Sequence, residues 1–387
     1  MSHSGKGTML GLAQVAALGT MAIHMLVPAL PALAHEFAVD ASGAQRAVSV
    51  YMIGLGLAQL LVGPAVDRLG RRPVLLAGLC LYIAGAAGSA CAPSLPLLLA
   101  ARAMQATGGA AGMVTARVMV GDLFGADEAA RRQATLMTIV LISPALAPVV
   151  GGVLAAHWGW RAIPALLGLA ALGVLILVAP RLPRQAPVGR VQASALTADY
   201  ASLLRNSRFR FATLAMTMAS CTLYMFLASA PFLLRSSGVG SSAVGLWLLV
   251  VAAASIAGTR MVRLFAGGAK ALSAGASFIL GGTMLGATLA FAGGVGPLAL
   301  VGPVLLVGVG AGMAGPSAMA IVVFAEEGLA GTATSLAGAT QMLGSAAATL
   351  GLGLVAPVSA LRLDLLMVGT GILCFYAAWQ AGINYEK

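Results

Sequence analysis

The sequence predicts an all-α integral membrane protein with twelve transmembrane helices in two six-helix bundles. Three observations carry this. The 387 residues are 60% hydrophobic and only 9% charged, with a mean hydropathy of +0.97. Apolar runs of ~20 residues recur along the chain, which is the length that crosses a bilayer as a helix. The basic residues sit in short segments between those runs, and the longest polar stretch, Arg181 to Arg210, falls in the middle. Fifty glycines suit helices that approach closely in lipid.

In order, the first six spans are roughly 9–34, 46–66, 74–91, 95–121, 134–157 and 160–180. The second six are roughly 209–233, 242–264, 273–293, 298–323, 333–356 and 363–382. The first run is too long for the apolar core of a secretory signal and shows no clear cleavage site, so it reads as a helix that stays. The expected organisation is an N-terminal bundle (1–180), a surface linker (181–208) and a C-terminal bundle (209–387). Gly108-Gly-Ala-Ala-Gly-Met in the fourth span is echoed by Gly310-Ala-Gly-Met-Ala-Gly in the tenth, which suggests parallel repeats around a central cavity.

Charge sets orientation. With the N-terminus in the cytoplasm, inner segments hold sixteen of the 22 basic residues and outer segments four, while Arg102 and Arg117 lie inside a span. That bias places both termini inside a plasma (cell inner) membrane. The net charge of +11 does not indicate nucleic acid, because no basic face with interleaved aromatics appears. Cys80, Cys91, Cys221 and Cys374 have no metal or redox spacing and are expected to be buried free thiols.

The densest charge cluster joins the second and third spans: Gly63-Pro-Ala-Val-Asp67-Arg68-Leu-Gly70-Arg71-Arg72-Pro73. Gly63 allows close helix contact, Gly70 a tight turn, and Pro73 the first turn of the next helix. Asp67 among three arginines should be ionised and paired, forming a conformational gate. Orientation alone needs the arginines but not the acid. A degraded copy follows the eighth span, Gly258-Thr-Arg-Met-Val262-Arg263-Leu-Phe-Ala-Gly267, in which the acid is lost.

Three more stretches carry chemistry. Arg102 lies inside the fourth span with Gln105 one turn away, and a buried arginine is costly unless it faces polar groups. Ser143-Pro144-Ala-Leu-Ala147-Pro148-Val-Val-Gly151-Gly152 should kink and pack the fifth span. His24 lies about fifteen residues from the inner end of the first span, ~22 Å deep. None of the eleven acids is mid-span: Asp67 and Asp122 are at the inner boundary, and Asp364 at the outer. His24 therefore becomes the candidate proton carrier, with Arg102 beside it, since a histidine titrates near neutral pH. A cavity with cations and no carboxylate favours neutral, zwitterionic or anionic compounds. Candidate contacts are His24, Met25, Tyr51, Arg102, Gln105, Tyr224, Phe226, Trp247 and Gln341.

The hairpin Gly63…Arg72 resembles the signature loop of the major facilitator superfamily. Arg102-x-x-Gln105 resembles its fourth-span motif, and the fifth span resembles its antiporter motif, with Ser143 and Ala147 replacing two glycines. His24-Met-Leu-Val-Pro28-Ala-Leu-Pro31, Gly159-Trp160-Arg161 and Tyr224-Met-Phe-Leu-Ala-Ser229-Ala-Pro231 are similar to the Bcr/CflA drug-efflux branch, where an aspartate usually stands at His24. The resemblance implies a twelve-helix secondary transporter that exports small molecules by alternating access and proton antiport. No cofactor beyond the proton gradient is expected, and a monomer in the lipid bilayer is the default. The alternative is a substrate-specific carrier or uncoupled facilitator of the same fold. No GxxxxGK[ST] motif occurs. The pair His35-Glu36 reads as a loop rather than a catalytic site, so an enzyme is not expected.

Overall fold

The computed structural model describes the backbone of residues 3–181, 193–265, 267–294, 296–326, 329–354 and 359–386. Within these, the side chains at 3–8, 64, 67–68, 121–142, 144–145, 181, 193–197, 241–242, 330–331 and 384–386 lie outside the described ones. The helices are α1 (His3–His24), α2 (Leu30–Glu36), α3 (Ala41–Leu69), α4 (Arg71–Ala90), α5 (Leu95–Trp158), α6 (Ala162–Val178) and α7 (Ala193–Arg205). They continue with α8 (Ser207–Ser236), α9 (Ser241–Met261), α10 (Gly268–Phe291), α11 (Pro297–Val323), α12 (Ala330–Leu354) and α13 (Ala360–Glu386). No strand occurs among the described residues, and eight stretches there are long and apolar enough to cross a membrane. The expected spans 160–180 and 333–356 correspond to α6 and α12.

The first span is not one helix. α1 ends at His24, Met25 and Leu26 form a turn, Val27–Ala29 is a 3-10 turn, and α2 resumes at Leu30. Pro28 and Pro31 explain the break, since neither offers the N–H that the carbonyls of His24 and Val27 need one turn later. The backbone N–H of Ala29 instead reaches the Leu26 carbonyl at 3.0 Å.

The fourth and fifth spans form continuous helical backbone in α5. A straight helix of that length would run about 96 Å, roughly three hydrocarbon thicknesses. The packing shows that it folds back. Gly109 lies against Gly19 of α1, and Gly151 lies against Met25 just past the end of the same helix. Gly19 and Met25 are ~9 Å apart along the axis of the first span, whereas Gly109 and Gly151 would be ~63 Å apart along a straight helix. α5 thus supplies two arms, 95–120 and 143–158, on either side of a reversal.

The arms and their neighbours repeat. A Cβ at Gly108 would collide with the Gly78 carbonyl and the Tyr82 nitrogen of α4, and one at Gly310 with the Gly275 carbonyl and the Ile279 nitrogen of α10. Gly85 meets Ala101 and Gln105, as Gly282 meets Pro303 and Val307. The echo between Gly108 and Gly310 is therefore the same helix crossing made twice. The turns before α4 and α10 also match: Gly70 (φ 87°) and Gly267 (φ 96°) both adopt the left-handed conformation that favours glycine. The later copy is two residues longer between its glycines, Gly258 to Gly267 against Gly63 to Gly70.

Three expectations change. Among the described residues, a Cβ at Gly63 would have nothing within 4 Å. Cys221 and Cys374 are buried free thiols, but Cys80, on α4, and Cys91, in the turn that follows it, are exposed. Glu36 is the last residue of α2, not part of a loop.

Candidate functional site

The break in α1 creates the first cluster. His24 is buried where the helix stops, and its Nδ1 lies 2.9 Å from the Thr20 carbonyl oxygen. A carbonyl only accepts, so Nδ1 carries the proton and Nε2 is the open nitrogen. The ring stands 5.8 Å from that of Tyr224 in α8, tilted by 41°. Met25, next in sequence, is fully buried, and its carbonyl sits against Gly151, where any Cβ would strike it. The fifth-span motif is thereby packed directly on the break. Its Pro148 carbonyl faces Gly245 of α9 on the other side, a Cβ at Gly245 falling 2.6 Å from it, and Gly152 is buried in the same arm. The Pro144 side chain lies outside the described residues.

Arg102 anchors a second cluster, behind α1 and just below the break. Its Nη2 donates to the Ala22 carbonyl at 2.9 Å, its Nε to the Ala47 carbonyl at 3.3 Å, and its Nη1 to Gln105 Oε1 at 2.8 Å. The guanidinium lies over the Tyr51 ring, 4.2 Å from its centroid. Tyr51 donates to the Gly19 carbonyl and Tyr82 to the Leu18 carbonyl, each at 2.9 Å. This buried cation has no carboxylate among its described partners. Backbone carbonyls of α1 and α3 and an aromatic face stand in for one. The matching crossing in the second half carries Val304 and Val307, both fully buried. The polar fork thus exists once, in the first half.

The other expected contacts are scattered. Phe226 is fully buried, and Trp247 packs half-buried against the core, as Gln341 is half-buried. In the hairpin, Gly70 closes the turn, Arg71 is buried, and Arg72 Nη2 donates to the Ala179 carbonyl at 3.2 Å. The side chains of Asp67 and Arg68 lie outside the described residues.

Sequence reasoning missed a polar seam between α3 and its partners. Gln45 Nε2 donates to the Ala228 carbonyl at 3.2 Å. Ser49 Oγ meets Thr349 Oγ1 at 2.8 Å, and Ser335 Oγ donates to the Gln59 carbonyl at 3.2 Å. Ser345 adds a bond to Ser220 of α8 at 3.0 Å. Residues 45, 49 and 59 fall on one face of α3, and that helical spacing was the available signal. One acid has more partners than the sequence showed. Glu36 accepts from Trp160 Nε1 at 2.6 Å and pairs with Arg161, whose other nitrogen reaches the Ala92 carbonyl at 2.7 Å. Asp364 stays near the outer end of its span, one turn into α13, where it is 8% exposed and packs on Gly286 of α10.

The family model described as Major Facilitator Superfamily matches residues 12–349. The chain is 34% identical over 201 residues to Multidrug resistance protein D of Escherichia coli (strain K12), an alignment covering 52% of this chain and only about half (51%) of that protein. It is 30% identical over 316 residues to a Chloramphenicol resistance protein of Pseudomonas aeruginosa, covering 80% of this chain and 74% of that protein. The solved structure of the xylose transporter XylE from E. coli, in a partially occluded inward open conformation, superposes with a TM-score of 0.74 at 15% identity, covering 98% of this chain and 97% of that one. Apolar spans, two matching sets of helix crossings, the neighbouring fold and the family match agree: this multi-pass membrane protein is a transporter rather than an enzyme, and it belongs to the Major Facilitator Superfamily.

Proposed function

We propose that the chain exports small drug-like molecules across the bacterial inner membrane by alternating access, in exchange for protons. The observation that carries this is His24 at the break in α1, facing Tyr224 of the other half. Nδ1 is occupied by the Thr20 carbonyl, so an incoming proton binds Nε2 and leaves it when the site turns inward. Relatives named for multidrug and chloramphenicol resistance support export of drugs. The positive bias of the inner segments supports cytoplasmic termini. Arg102 and the lack of a nearby carboxylate favour neutral, zwitterionic or anionic substrates. Residues 1–180 and 209–387 move against each other as two bundles, with the Gly63–Arg72 hairpin as gate and no cofactor beyond the proton gradient.

A substrate-specific carrier without coupling is the second reading, favoured by the lack of a mid-span acid in the sequence. A drug-susceptibility panel in an efflux-deficient host, with and without a protonophore, tests both. Resistance that the protonophore abolishes supports coupled export. Unchanged susceptibility with substrate uptake supports the carrier.

A further inference from the structure

The two matched turns before α4 and α10 use their cations differently. In the first, Arg71 is only 7% exposed and Arg72 is held by the Ala179 carbonyl, so the protein itself takes up this charge. In the second, Arg260, Arg263 and Lys270 are all exposed, and none makes a hydrogen bond or ion pair among the described residues. Leu264, between them, is 76% exposed. The acid of the first turn is replaced by Val262, so the later turn carries no internal counter-charge. Two acids are described at this end of the helices, Asp199 and Glu326, and Glu326 is already engaged by the Ser202 hydroxyl.

We propose that the α9–α10 turn docks on the inner-leaflet lipid surface, with Arg260, Arg263 and Lys270 binding anionic phosphate headgroups and Leu264 dipping among the acyl chains. Three long cationic side chains around one exposed leucine match that boundary, where the charges meet phosphates and the apolar side chain meets hydrocarbon. The duplicated turn has become a membrane anchor in one half while remaining an internal contact in the other. The inner-leaflet placement rests on the orientation proposed above.

The test uses the full chain purified from vesicles containing equal amounts of phosphatidylglycerol and phosphatidylethanolamine, followed by quantification of the retained lipid. Wild-type protein should be enriched in phosphatidylglycerol. Arg260→Gln, Arg263→Gln and Lys270→Gln should each lower the retained ratio by about fivefold. Singly substituted proteins that keep the wild-type elution profile exclude misfolding as the cause. Arg46→Gln, an exposed cation at the opposite end of α3, should leave the ratio unchanged. No enrichment in the wild type, an equal fall for Arg46→Gln, or full displacement by soluble glycerol phosphate would each overturn the proposal. Orientation is read separately, by labelling Leu264→Cys from either side after Cys80 and Cys91 are replaced by serine. Labelling only from outside would refute the inner-leaflet placement, whatever the lipid ratio shows.

Discussion

His24 and Tyr224 face each other at 5.8 Å, and a shared sequence pattern matches them between the two halves of the chain. Each is followed by a methionine and, seven residues on, by a proline: His24-Met25…Pro31 and Tyr224-Met225…Pro231. Only the first copy has a second proline between them, Pro28, and only there does the helix stop. The histidine side of this matched pair therefore sits on broken backbone and the tyrosine side on α8, which continues through Pro231. Irregular backbone at membrane depth is tolerated where it is buried or lines a polar path. That is the physical reason to place coupling at His24.

His24→Ala should abolish proton release on substrate addition in proteoliposomes while substrate binding survives. His24→Asp, which restores the residue type usual in the resembling branch, should retain coupling. Coupling that is unchanged in His24→Ala would remove the proton role.

Arg102 acts as a fork that ties α1 to α3 and α5. Arg102→Met removes three buried hydrogen bonds, including those to the Ala22 and Ala47 carbonyls. Hydrogen bonds within membranes contribute roughly 0.6 to 1.7 kcal/mol each, so a loss of about 2–5 kcal/mol is expected. Arg102→Lys should recover only part of it, because an ammonium cannot reach carbonyls of two helices and stack on Tyr51 at once. Thermal unfolding in detergent measures both, and wild-type stability in Arg102→Met would contradict the fork.

Much of this site was legible in the sequence, for identifiable reasons. A bilayer penalises charge so heavily that Arg102 stands out in one span, and Gly70 stands out because a tight turn needs its conformation. Pro28 and Pro31 carried the information for the break after His24, but prolines in membrane helices more often kink than stop them. What was not legible is pairing. Ser49 and Thr349 are 300 residues apart, and a serine in a span reads the same whether it bonds across an interface or to its own helix. Glu36 looked like a loop residue because its partners, Trp160 and Arg161, are over 120 positions away.

Gly151→Ala places a methyl group on the Met25 carbonyl at the break. Backbone cannot yield as a side chain does, so α5 must shift from α1 at a cost of about 1–3 kcal/mol. Transport should fall sharply while membrane insertion persists. Gly173→Ala in α6, where a Cβ meets nothing within 4 Å, is the matched control and should be neutral. Equal transport in the two variants would separate the fifth-span motif from the His24 site.

The α3 seam should act directionally. Gln45 and Ser49 lie toward the start of α3, and the Gln59 carbonyl, which receives the Ser335 hydroxyl, lies toward its end. Alternating access must open one end while the other stays shut, so bonds at the two ends stabilise different states. Thr349→Val removes the hydroxyl that meets Ser49 and should favour opening at the α3 start. Ser335→Ala should favour opening at the other end. Each loss is about 0.6 kcal/mol, enough to shift a balanced equilibrium nearly threefold. Accessibility of single cysteines introduced near each end should therefore change in opposite senses for the two variants, and a change in the same sense would show that the seam is uniform packing rather than a two-ended gate.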